Sequence, residues 1–218
     1  KGPGFWIMER EITAREYLAF LNDPETRASI DAAEHTILVP RSTQSPPGGD
    51  WPRDADGTYR LPARVQPDFP AVGLAWNDAI AYAAWRRDRE GLPYAIPTKR
   101  QWERAGRGFL NQMYPYGHRF EPKWAKSCFS RRKAWLEPVM SYPVDESPYG
   151  VYDMSGSAGE WLDAWWGDPE NRLRPFGGGS WAYAQKHIFR VPGGNGIAAH
   201  MAYWMFGCRL VLPEDYAR

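Results

Sequence analysis

Apolar residues fall in short runs separated by polar, turn-forming stretches, and three of these runs carry helical spacing. Phe5-Trp-Ile-Met8 reads as a short strand entering the core. Thr13 and Glu16 then form the two halves of a capping box, each side chain taking the other's backbone N–H. Tyr17, Phe20 and Leu21 follow at helical spacing, and Asn22-Asp-Pro24 is expected to stop the helix. Pro70-Ala-Val-Gly-Leu-Ala75 reads as a second apolar strand. Asn77 is placed to cap the next helix, whose Ile80, Ala83 and Ala84 share a face while Arg86-Arg-Asp-Arg-Glu90 is exposed; Gly91-Leu-Pro93 ends it. After Pro97, Thr98 and Gln101 make a second capping box that carries Trp102 and Ala105 inward as far as Gly106. The pattern predicts helices near 14–22, 77–89 and 98–106.

The rest is cut into shorter pieces. Residues 41–60 are polar and turn-rich, an expected surface excursion with a small hairpin, and the second half shows no sustained helical period. Because strand and helix signals do not keep alternating, a parallel sheet is not expected and the fold class reads as α+β. With 218 residues the chain suits a single domain, 1–218, able to bury a sizeable core. Composition sharpens that picture: 12 Trp, 12 Tyr and 9 Phe beside 21 Gly and 20 Pro describe irregular backbone pinned by large rings.

The net charge of +1 and the mixing of acids with bases give no electrostatic footprint for nucleic acid; Arg131-Arg-Lys133 reads as a solvated turn. No apolar run approaches the ~18 residues of a membrane span. Two cysteines, Cys128 and Cys208, make no disulfide scaffold, so the expected compartment is the cytoplasm.

Two phrases stand out: Tyr149-Gly-Val-Tyr-Asp-Met-Ser-Gly-Ser-Ala-Gly-Glu-Trp161, and Gly177-Gly-Gly-Ser-Trp181 answered by Phe206-Gly-Cys-Arg-Leu210. Glycine opens backbone angles closed to other residues, and Asp153 and Glu160 bracket the first phrase with carboxylate oxygens of the kind hard cations bind. Together with Arg10-Glu-Ile-Thr-Ala-Arg-Glu-Tyr17, Ile96-Pro-Thr-Lys-Arg-Gln-Trp-Glu103 and Tyr114-Pro-Tyr-Gly117, these phrases resemble, in order, the frame of the formylglycine-generating-enzyme (sulfatase-modifying-factor) family. The resemblance implies a C-type-lectin-like fold with short antiparallel strands and two to three helices. It also implies an N-terminal strand and a glycine-bearing turn before the Arg10 phrase, and beyond Phe5-Trp-Ile-Met8 the domain is expected to lack them. It further implies a structural calcium ion held by Asp153, the carbonyls of Gly156 and Ala158, and Glu160, with Ser157 and Gly159 standing where the family has Asn and Trp.

The family's oxidase chemistry needs a copper-binding cysteine pair just after the Gly-Gly-Ser-Trp phrase, where a soft thiolate pair suits cuprous copper. Here that stretch runs from Ala182 to Gly194 without a cysteine, so neither copper nor oxidase activity is expected. The four histidines, His35, His118, His187 and His200, lack the grouping of the iron-dependent branch, and Ser157 lacks the strand and first glycine of a nucleophile elbow.

The segment between the last two phrases carries Trp181, Tyr183, Gln185, His187, Phe189, Asn195, His200, Met201, Tyr203 and Trp204, spaced by Gly and Ala. Rigid amphipathic rings among small spacers have the composition of a recognition surface for a protein or small-molecule ligand. The middle of the chain is similar to family members fused behind bacterial serine/threonine kinases. The C-terminal segment is similar to the diversified loop of diversity-generating-retroelement variable proteins. A sensor or substrate-binding role beside a kinase is therefore the alternative to a variable binding protein, with a formylglycine-generating-type oxidase ranked behind both.

Overall fold

The computed structural model describes residues 3–32, 38–45 and 49–216. Among these residues, four α-helices occupy the first half: α1 (Ala14–Leu21), α2 (Pro24–Asp31), α3 (Trp76–Glu90) and α4 (Lys99–Arg107). Six short strands complete it: β1 (Phe5–Ile7), β2 (Gly159–Trp161), β3 (Leu173–Gly177), β4 (Asn195–Ala198), β5 (Phe206–Gly207) and β6 (Val211–Pro213). Strands β1 and β6 pair antiparallel as a ribbon. The other four form a sheet in the order β4-β3-β2-β5, antiparallel except for β2 and β5, where Gly159 faces Phe206 and Glu160 faces Gly207. Helices gather before the sheet instead of alternating with its strands, which makes the fold α+β, as the residue pattern predicts.

Both capping boxes form: Glu16 N–H donates to Thr13 Oγ1 at 3.3 Å and Gln101 N–H to Thr98 Oγ1 at 3.3 Å. One expectation is met with an addition and two need correcting. Asn22-Asp-Pro24 ends α1 but also starts α2, because the Asp23 carboxylate accepts from the N–H groups of Glu25 and Thr26 and Pro24 suits the first helical turn. Helix α3 starts at Trp76, ahead of Asn77; Asp78 reaches back instead, accepting from Ala75 N–H at 2.8 Å and from Arg41 at 2.7 Å. Residues 70–75 form no strand. Ala71 N–H donates to Ile12 and Leu74 N–H to Phe206, with Gly73 at φ 86° turning the chain between them, so no ladder is sustained.

The core lies between α1, α3 and the sheet. Tyr17 stacks on Tyr82 with centroids 5.6 Å apart, and Phe20 closes edge-on against Tyr82. Trp161 packs on Phe206 and donates its indole N–H to Leu74 at 2.8 Å. A second cluster of Trp102, Ala105, Val151, Met154, Leu162 and Val191 joins α4 to the glycine phrases. Large rings thus hold loops that have little regular structure of their own.

Candidate functional site

The chain from Asp153 to Trp161 is a buried turn. Asp153 at φ 61° and Ser157 at φ 66° are left-handed, a region that glycine and asparagine adopt most readily. Gly156 lies so close to the 122–136 loop that a Cβ would sit 2.3 Å from the Lys126 carbonyl oxygen, so no side chain fits. Asp145 braces the turn from outside, its Oδ2 accepting from Ser155 N–H at 3.2 Å and Gly156 N–H at 3.1 Å. Ala158 N–H donates to Glu11 Oε1 at 3.3 Å.

Below the turn, Glu160 on β2 meets Arg209. Arg209 Nε donates to Oε2 at 2.6 Å and Nη2 to Oε1 at 2.8 Å, and Arg209 further donates to the carbonyls of Met8 and Tyr152. Glu11, Asp145 and Asp153 are also buried here. Burial, reinforced by the Asp153 charge, pushes the Glu11 and Asp145 carboxyls well above the usual carboxylate range, and burial raises Asp153 as well.

This geometry bears on the implied calcium ion. Both Glu160 oxygens are taken by Arg209, and Asp153 Oδ2 accepts from Met140 N–H at 2.5 Å. Among the described residues no group of three or more His, Cys, Asp or Glu is placed to hold a metal ion. A calcium ion ligated by Glu160 would have to share its carboxylate with the buried Arg209 guanidinium, a like charge that weakens the expected cage of Asp153, Gly156, Ala158 and Glu160. Glu11, which shares the pocket, was not legible as a partner because it lies 147 positions from Ala158 in the sequence.

The candidate recognition segment hangs from this turn. Gly179 N–H donates to Ser155 O at 2.8 Å and Trp181 N–H to Ser157 O at 2.9 Å; the Trp181 indole N–H then closes the loop onto Trp204 O at 2.9 Å. Gln185, His187, Asn195 and His200 are exposed, and Trp181, Tyr183, Met201, Tyr203 and Trp204 are half-buried. Tyr203 sets its ring edge-on against Phe206, 5.7 Å away. Phe189 is the exception: it is fully buried, packed on Phe120 at 5.2 Å and against Gly179, and belongs to the core and not to the face. The structure adds neighbours from the 122–136 loop. Cys128 N–H donates to Tyr183 O at 3.2 Å and Trp135 stands edge-on to Trp181 at 5.1 Å. No local pattern predicts a pairing across that separation.

Cys208 is fully buried, with its thiol pKa pushed well up by that burial, while Cys128 is half-buried; neither forms a disulfide. A separate groove of about 1130 Å³ runs between β1, α4 and Tyr149 and is lined by Arg100, Arg104 and Arg107 beside Glu9 and Glu103. None of the described helices is long and apolar enough to cross a membrane.

Comparison with known proteins agrees with this architecture. Residues 1–213 match the Sulfatase-modifying factor enzyme 1-like domain. The Inactive C-alpha-formylglycine-generating enzyme 2 of Bos taurus is 35% identical over 128 residues, which cover 54% of this chain and 40% of that protein. The Serine/threonine-protein kinase pkn1 of Chlamydia caviae is 39% identical over 107 residues, covering 47% of this chain and 15% of the kinase. The match therefore spans well under two thirds of either relative. Among solved structures, Treponema denticola variable protein 1 superposes with a TM-score of 0.63 at 17% identity, covering 96% of this chain and 84% of that one. With nearly its whole length matched and the fold in agreement, the chain belongs to the sulfatase-modifying factor enzyme 1-like family.

Proposed function

We propose that the domain is a non-catalytic binding module whose contact surface is the 181–205 segment. One observation carries the reading: Gln185, His187 and His200, with Asn195 at the start of β4, are exposed on a segment whose backbone is tied at Gly179, Trp181 and Trp204 to a buried turn. A firm base under exposed polar groups and half-buried rings lowers the entropy lost on binding. Oxidase chemistry lacks its parts. The thiol of Cys208 is sealed in the core, which removes it as a copper ligand and leaves Cys128 without a soft partner. A relative named as an inactive formylglycine-generating enzyme supports the same reading.

The likeness to a variable protein favours a segment whose side chains differ between copies while the base stays constant. The match to a kinase favours a second reading, in which the same face serves as the sensor of a longer protein. Two unpaired thiols favour the cytoplasm. The test is to replace Gln185, His187, Asn195 and His200 singly with Ala and to measure partner affinity and thermal stability separately. The reading requires affinity to fall at unchanged stability. Unchanged affinity in all four variants would overturn it.

A further inference from the structure

Charge is distributed very unevenly over this domain. Residues 123–135 and 181–205 hold seven of the chain's 27 Lys and Arg and none of its 26 Asp and Glu, leaving 20 against 26 elsewhere. The fold brings these two acid-free segments together. Phe120, just ahead of the first beyond Glu121 and Pro122, packs on Phe189 at 5.2 Å; Cys128 N–H donates to Tyr183 O at 3.2 Å; and Trp135 meets Trp181 at 5.1 Å. Three ties at successive points make one continuous surface of what sequence separates.

Most of its cations are uncommitted. Glu137, just outside the first segment, pairs with Lys126 and Arg131. Lys123, Arg132, Lys133, Lys186 and Arg190 are exposed and have no ion pair among the described residues, where 13 other pairs form. Exposed rings sit between them, with Phe129 61% and Trp124 40% accessible.

We infer that the contact surface extends onto the 123–135 loop and that its partner is an acidic polypeptide segment bearing apolar side chains; this rests on the binding role proposed above. Unpaired cations around apolar rings complement carboxylates around apolar groups and speed encounter with them. Nucleic acid carries the same charge but binds single strands by stacking bases on open aromatic faces. Here Arg64 covers a face of Trp135, whose indole N–H goes to Arg64 O, and Trp135 in turn lies edge-on to Trp181. Trp135 and Trp181 are packed into one another and Trp124 stands edge-on to Tyr116, which leaves the exposed Phe129 as a lone ring and no row of faces on which successive bases could stack.

The experiment titrates the intact chain with poly-L-glutamate and with single-stranded oligothymidylate, at low and physiological salt, and pans a random peptide library on the same protein. Poly-L-glutamate is expected to bind, more weakly as salt rises. The R132E/K133E and K186E/R190E variants should each lose about tenfold in affinity. Their melting temperatures should match the parent, since all four side chains are exposed. R104E, in the β1–α4 groove, should bind as the parent does. No binding of poly-L-glutamate, equal binding by the reversed variants, or tighter binding of oligothymidylate would overturn the inference. Library peptides without Asp or Glu enrichment that lose affinity on His187→Ala would overturn the acidic specificity alone and leave the binding role standing. A library yielding no binder at all would overturn both.

Discussion

Arg209 donates two parallel N–H groups to the two oxygens of Glu160, and both side chains are fully buried. This fork joins the end of the Phe206–Leu210 phrase to the end of the Tyr149–Trp161 phrase: Glu160 lies on β2, and Arg209 lies two residues past β5, the strand that neighbours it. Removing one partner leaves a buried charge uncompensated, so Glu160→Gln and Arg209→Met are each expected to cost about 3–5 kcal/mol of stability. The double variant Glu160→Leu, Arg209→Met should recover much of that loss, because an apolar pair replaces an ionic one. Urea unfolding of the four proteins checks this, and additive losses in the double variant would contradict it.

The same fork governs the response to calcium. With both Glu160 oxygens occupied by Arg209, chelator is expected to leave the melting temperature unchanged, and added calcium should not raise it. A calcium-dependent rise that disappears in Asp153→Ala would reinstate the cage, since a ligand bound only by the folded state stabilises it by mass action.

Asp78 predicts a pH dependence away from that pocket. Its carboxyl, fully buried under the start of α3, is raised from 3.8 to about 6, chiefly by burial, with Arg41 and the Ala75 N–H opposing. A raised carboxyl means the folded chain holds a proton that the unfolded chain has released. The contribution is therefore complete below pH 3.8 and is lost as pH rises through about 6, amounting to roughly 3 kcal/mol. Unfolding free energy measured from acid to neutral pH should fall less in Asp78→Asn than in the parent. Parallel curves would refute the assignment.

Phe189 separates the core from the face within a single loop. Phe189→Ala is expected to cost about 3–5 kcal/mol, because it empties the space between Phe120 and Gly179. His187→Ala, two positions earlier and exposed, should change stability by no more than about 0.5 kcal/mol. Thermal melts of the two variants read the difference directly.

Local chemistry made some of this molecule legible from its residues. The Thr13–Glu16 and Thr98–Gln101 boxes act within four residues, and both helices form where those boxes lie. Asp23 fits a helix stop and a helix start alike because the two roles share residue types; the outcome depends on the chain beyond. At the site, the exposed His187 and His200 lie on the face their surroundings suggest, but Phe189 carries the same aromatic signal and points inward. Burial of a ring in coil depends on which distant loop meets it, here the one beginning at Phe120. The Glu160 fork was hidden for the same reason: a carboxylate beside glycines looks alike whether a cation or an arginine will answer it. The acid-free surface needed both, a composition visible in the chain and a juxtaposition visible only in the fold.

The central claim is that partners meet this domain on the 181–205 face. Amide hydrogen exchange, followed residue by residue with and without a library-selected peptide, tests it most directly. The account predicts new protection confined to residues 181–205 and the adjoining 123–135 loop, with the β1–α4 groove exchanging as in the free protein. Protection along Phe5–Ile7 and Lys99–Arg107, with the 181–205 segment unchanged, would contradict it.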